Sequence, residues 1–189
     1  MTLESDAKAV GNSKGASRVS ASAGLTRSGT HTHATVPPLN PRLSTLLESI
    51  QPHDHLCLIY ETKQEWRDAV VPFITIGLRR GEKCLYHMDV TTATEIRGYL
   101  EAAGIDVATA ERSGQLTVLH YTQAYTREGP FDPDRMIALL IHENEKARAE
   151  GYPALRATGE MSWVLHGDVG MDKLLEYEAK LNRDVFPHH

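Results

Sequence analysis

The run Thr158-Gly159-Glu160-Met161-Ser162-Trp163 sets a carboxylate three residues ahead of an indole. At the end of a strand such a pair offers a polar ligand one acceptor and one flat apolar wall. Glu160 has structural alternatives: an ion pair with Arg156, at even spacing on the same strand face, or a cap for the helix that follows. Trp163 has one too, as a core aromatic. Tyr60 and Glu61, Asp89, and His120-Tyr121 each close a further apolar, strand-like run. Ligands of open parallel sheets bind outside the carboxyl ends of the strands. Tyr60, Glu61, Asp89, His120, Tyr121, Glu160 and Trp163 are therefore the expected lining of a small-molecule pocket.

A second constellation is His53-x-His55-x-Cys57, whose nitrogen and sulfur donors suit zinc or copper. His55 and Cys57 share a strand face but stand at its amino end, away from the crevice. No second Cys/His pair at metal spacing follows. A packed cysteine and a hydrogen-bonded histidine are the expectation, with no metal and no other cofactor. The pair His31 and His33 falls in a low-complexity stretch, where ordering the chain around an ion is costly.

Catalytic signatures do not fit. A phosphate cradle needs G-x-x-x-x-G-K-[ST] after the first strand, so that backbone N–H groups can approach the phosphates. That position reads Tyr60-Glu61-Thr62-Lys63-Gln64-Glu65, with no glycine and two carboxylates. Gly159 to Ser162 does not form a G-x-S-x-G elbow. The chain is not expected to be an enzyme.

These residues need a scaffold, and the periodicity supplies one. Leu43, Leu46, Leu47 and Ile50 predict a short entrance helix. Strands are predicted at His55–Tyr60, Lys83–Met88, Gln115–Tyr121 and Ala154–Thr158. Between them lie helices at Glu65–Arg80, Thr94–Ala103 and Pro133–Glu150, followed by a last one at Met171–Val185. Pro72 is expected to kink or break the first of these. Asp132, Pro133 and Gly151 read as N-cap, first residue and stop of the longest. Strand–helix alternation implies an α/β fold, a three-layer, mostly parallel sheet with helices on both faces.

Residues 1 to about 40 are rich in Ser, Ala, Gly and Thr and have no aromatic, which predicts a disordered tail before a domain at 41–189. That tail carries a charge of +2, leaving -7 of the total -5 to the remainder. An acidic body repels phosphate backbones, so direct nucleic-acid binding is not expected. No run approaches the ~18 apolar residues of a membrane span, and no apolar core follows the first basic residues as in a signal peptide. Cys57 and Cys84 in apolar runs suit reduced core thiols, and the expected compartment is the cytoplasm.

Three stretches carry a resemblance: His55-Leu56-Cys57-Leu58-Ile59-Tyr60, Phe73 to Tyr86 with Gly81-Glu82-Lys83, and Thr158 to Trp163 followed by Tyr177-Glu178-Ala179-Lys180-Leu181-Asn182. Together, over about 50–185, they resemble the MEDS domain, the methanogen/methylotroph, DcmR-type sensory domain, and distantly RecA-like ATPases of the KaiC type. The resemblance implies a RecA-like sheet with a degenerate phosphate loop that senses a small organic molecule in transcriptional regulation or signal transduction. Its alternative is a protein–protein adaptor without ligand, and a residual nucleotide-binding ATPase comes third. Family members continue into a further strand where this sequence ends at Phe186-Pro187-His188-His189. An open sheet edge, and a homodimer or signalling-protein partner to cover it, are therefore expected.

Overall fold

The computed structural model of the chain describes residues 41–166 and 171–185. The expected disordered tail, residues 1 to about 40, lies outside them. The fold is mixed α/β: a small parallel sheet flanked by helices. Helix α1 (Pro41–Ser49) leads to α2 (Lys63–Arg79), then β1 (Lys83–Met88), α3 (Ala93–Ala102) and α4 (Val107–Arg112). Strand β2 (Leu116–His120), helix α5 (Pro133–Ala149), strand β3 (Leu155–Gly159) and helix α6 (Met171–Lys180) complete it, and α6 runs on into a π-turn at Leu181–Val185.

The strand order is β2-β1-β3. Cys84 stands opposite Leu116 on one side of β1 and Arg156 on the other, and His87 stands opposite Leu119 and Gly159. Alternation along β1 splits its side chains between two cores. Cys84 and Tyr86 join Trp66, Ile74, Ile96, Leu100 and Leu116, packed under α2, α3 and α4. His87 faces the other side, against Tyr125, where a second core gathers Phe131, Met136, Trp163, Tyr177 and Leu181 from α5, α6 and the loops between. Fully buried aliphatics such as Ile96 and Leu100 contribute about 2 kcal/mol each.

Local chemistry explains the helix boundaries. Thr62 and Thr92 each close a capping box with the glutamate three residues on, Glu65 and Glu95. Asp132 caps α5 and Pro133 starts it, as the sequence indicates. Pro72 neither breaks nor ends α2, which continues to Arg79. Its missing N–H costs about 3 kcal/mol in a helix interior, which the buried face of Trp66, Val70, Ile74 and Leu78 offsets. Near its end, α2 crosses a buried ion pair: Arg156 Nε lies 2.5 Å from Glu82 Oε2, and Nη2 lies 3.2 Å from Oε1. Gly77 permits that approach, because a Cβ there would meet Arg156 Cδ at 2.5 Å and Cys84 Sγ at 2.8 Å.

Two expectations need correction. His55–Tyr60 is not a strand of the sheet: it forms no ladder among the described residues, and Leu56, Leu58, Ile59 and Tyr60 are exposed, Ile59 by 90%. An apolar run signals a preference for burial; it does not supply a ladder partner, and strand structure exists only where one is met. Cys57 in that run is consequently exposed, while Cys84 is buried and is the core thiol. Helix α4 was not legible, because six residues are too few for a helical period to stand out.

Candidate functional site

The carboxyl ends of β1 and β3 meet at Glu160. Its backbone N–H donates to His87 O at 2.9 Å, extending the β1–β3 register by one bond. Its side chain is buried and surrounded by donors. One oxygen accepts the Tyr86 hydroxyl, and the other accepts the backbone N–H groups of Asp89 at 2.9 Å, Val90 at 2.6 Å and Thr91 at 3.1 Å. The turn between β1 and α3 thus closes around a carboxylate, as backbone nests close around anions. Burial alone would raise the Glu160 pKa, but the bonds from Tyr86, Thr91 and Asp89 outweigh it and hold the group below its ordinary value. Neither structural alternative foreseen for it holds. Arg156 is engaged by Glu82, and Glu160 caps the turn after β1 instead of the helix that follows it.

Asp89 sits beside this turn, where its carboxylate accepts the Ser162 hydroxyl at 2.7 Å. Tyr60 approaches from the unpaired His55–Tyr60 segment. Partial burial raises its pKa first, and the charges of Glu160 and Asp89 raise it further, so its hydroxyl stays neutral. Tyr60, Asp89 and Glu160 form one group. His120, Tyr121 and Trp163 form a second, a ladder of rings. His120 and Tyr121 have centroids 4.6 Å apart, and Tyr121 stacks on Trp163 at 5.6 Å with the rings 5° from parallel. His120 is held by its 2.8 Å contact with Thr122 Oγ1. Ser162, next to Trp163 in sequence, joins the two groups through Asp89. Glu61 stands exposed at the start of α2, its backbone N–H bonded to Glu65.

Three participants escaped the sequence reading. Tyr86 precedes His87 in β1 and reaches Glu160 from the opposite face. Tyr125 and Phe131 lie in the loop between β2 and α5, where no periodicity marks them, yet both contact Trp163 at 5.2 Å. His87 packs edge-on against Tyr125 at 5.1 Å, and burial lowers its pKa to about 4, so it is neutral at pH 7.

The position expected of a phosphate loop is filled from within the chain. Glu65 Oε2 accepts the N–H groups of Glu61 at 2.9 Å and Thr62 at 3.1 Å, and Lys63 is paired with Glu95. The helix N-terminus that could hold an anion already holds one. The residues of the possible metal set do not converge. His55 Nδ1 lies 3.1 Å from Asn182 Oδ1 and its Nε2 3.3 Å from Glu178, so these two partners are on α6 and the π-turn that continues it. Among the described residues no group of three His, Cys, Asp or Glu side chains is placed to hold a metal ion. Two surface concavities, of about 240 and 310 Å3, lie elsewhere. One is at Leu78, Ile105 and Gln115, the other between Leu43, Leu58, Ile59 and Ala69.

This arrangement belongs to a sensory module. Residues 54–189 match the MEDS family, "MEthanogen/methylotroph, DcmR Sensory domain", and the chain belongs to that family. The family is defined by sensing, in agreement with the non-enzymatic reading of the sequence. The chain is 28% identical over 133 residues to the transcriptional repressor DcmR of Methylorubrum extorquens, covering 70% of this chain and 47% of that protein. The chain thus spans about half the length of the curated relative it matches. No solved structure matches it.

Proposed function

We propose that this chain is the ligand-sensing part of a regulatory system that controls transcription in the cytoplasm, and that it responds to a small organic molecule. The carrying observation is membership of a sensory-domain family across 54–189. The similarity to a transcriptional repressor supports the regulatory output, and the two free cysteines suit a reducing compartment. The sensory domain runs from about residue 41 to 189 behind the low-complexity tail. Its sheet follows a RecA-like plan with a degenerate phosphate loop, a reading supported by three parallel strands in the order β2-β1-β3. The ligand meets Asp89, His120, Tyr121, Glu160 and Trp163 at or just beyond the carboxyl ends of the strands, together with Tyr60 and Glu61 from the segment that leads into α2. The self-satisfied N-terminus of α2 argues against nucleotide as that ligand.

Native mass spectrometry of freshly purified chain tests this. A retained small organic mass, lost on denaturation, is the expected result. An empty chain whose melting temperature no small-molecule panel raises would sink the sensor reading. The adaptor alternative rests on two observations: β3 has no ladder partner on its outer side among the described residues, and exposed apolar side chains stand at Leu56–Tyr60. Such an edge invites a second chain, and a twofold homodimer is its simplest closure. Light scattering across micromolar concentrations decides that point, since a clean monomer excludes the homodimer.

A further inference from the structure

We propose that the concavity between α1, α2 and the Leu56–Tyr60 segment is a docking site for another protein, and that the partner inserts an arginine side chain flanked by apolar residues. The inference goes beyond the ligand reading and does not depend on it.

Leu43, Leu58, Ile59, Glu65, Asp68 and Ala69 line a concavity of about 310 Å3. Its walls are of two kinds. Leu43 of α1, Ala69 of α2, Leu58 and Ile59 form the apolar one. Leu46 extends it, because it follows Leu43 by three residues on the same face of α1 and is 52% exposed. Apolar side chains gathered on one exposed face mark an interaction surface. The backbone of Leu56–Tyr60 adds donors and acceptors there, since none of its N–H or C=O groups bonds to another backbone group among the described residues.

The second wall is acidic. Glu65 and Asp68 stand one turn apart on α2, a spacing that sets their Cβ atoms about 5–6 Å from each other. Glu65 uses Oε2 for the N–H groups of Glu61 and Thr62, and its Oε1 meets no donor among the described residues. Those two backbone bonds hold its carboxyl below the ordinary range, so it is ionised at pH 7. Asp68 accepts the Gln64 amide through Oδ1, which leaves Oδ2. The neighbouring cations are committed. Arg67 Nε lies 3.8 Å from Asp68 Oδ1, but its guanidinium also bonds Gln64 and covers the Tyr99 ring, and Lys63 is paired with Glu95.

This combination selects the occupant. A hydrocarbon stem packs on Leu43, Leu58 and Ala69, and a planar guanidinium at its end spans the two carboxylates with several donors at once. Apolar residues beside that arginine cover Ile59 and Leu46. A second copy of this chain fits less well, because the sequence beyond the tail carries a charge of -7 and approaches itself against net repulsion.

The test is a titration of the full chain with capped peptides, followed in proton–nitrogen correlation spectra. The probe is Gly-Ser-Leu-Arg-Leu-Ser-Gly; the controls place Lys or Glu at its centre, or Ser at both Leu positions. The arginine peptide should shift the amides of Ile59, Asp68 and Ala69 saturably, and less so as salt is raised. The glutamate and serine controls should bind at least tenfold more weakly, and the lysine control severalfold more weakly. Ile59→Ser and Asp68→Asn should each weaken the arginine peptide about tenfold, whereas Leu175→Ser, at an exposed leucine of α6, should change nothing. Ile59 is 90% exposed, so its replacement leaves the fold intact. Unchanged affinity in Ile59→Ser or Asp68→Asn, shifts centred elsewhere, or no saturable shift at millimolar peptide would overturn the docking site. Equal binding of the lysine peptide would overturn the guanidinium. Self-association of the chain alone, abolished by Ile59→Ser, would put a second copy in the groove and overturn the partner. The ligand reading is tested separately by the native mass spectrum, which none of these outcomes alters.

Discussion

Replacing Glu160 with alanine should cost a large part of the stability of a small domain, and the amount can be worked from its partners. The carboxylate accepts four hydrogen bonds, from the Tyr86 hydroxyl and the N–H groups of Asp89, Val90 and Thr91. Val90 is 68% exposed, so water reaches its turn once the carboxylate is gone. Tyr86 and Thr91 are buried, and their donors would be left unpaired. At about 1–3 kcal/mol for each unpaired donor the loss is about 4 kcal/mol, against a usual total of about 5–15 kcal/mol. Glu160→Gln should cost only about 1–2 kcal/mol, because its amide oxygen can serve the three N–H groups while its NH2 donates to Tyr86. Urea unfolding with an unchanged slope measures both. The sign of the pH dependence follows from the lowered Glu160 pKa. The stabilisation is fully present above the ordinary value of 4.5 and is lost as pH falls through the lower folded value. The Gln variant should therefore lose less stability on acidification. A Glu160→Ala chain within 0.5 kcal/mol of the parent would refute the clamp.

His87 gives a second acid effect. Its pKa falls from 6.5 to about 4 on burial, so the unfolded chain binds the extra proton between those values and stability drops as pH falls across that window. The drop is about 3 kcal/mol, and His87→Phe should abolish it in denaturant titrations repeated from pH 7 to pH 4. Thiol labelling separates the cysteines: exposed Cys57 should react at once, whereas Cys84, buried with its pKa pushed up to about 12, should react only on unfolding. Protection of Cys57 in the native chain would restore His55–Tyr60 to the sheet. Gly77→Ala should destabilise by about 1–3 kcal/mol by crowding Arg156 and Cys84. An unchanged midpoint would show that the buried ion pair yields.

Local signals in the sequence determined most of the scaffold. Strand β1 coincides with the apolar run Lys83–Met88, and α5 begins where Asp132 and Pro133 say it must. Caps, turns and periodicities act over a few neighbouring residues, so the chain carries them openly. The carboxyl ends of β1, β2 and β3 were legible for the same reason, since strand ends can be read before strand order is known, whereas Tyr60 and Glu61 were assigned to the end of a strand that did not form. Tertiary structure alone decided the rest. It gave Arg156 to Glu82 instead of Glu160, because strand register and the space over Gly77 brought those two together. It turned His55 toward α6 and left Leu56–Tyr60 without a ladder, although nothing in that hexapeptide's composition distinguishes it from a paired strand. It also assembled Tyr125, Phe131 and Tyr177 around Trp163 from three separate segments. Pairing over such distances depends on where whole elements pack, and no local pattern encodes it.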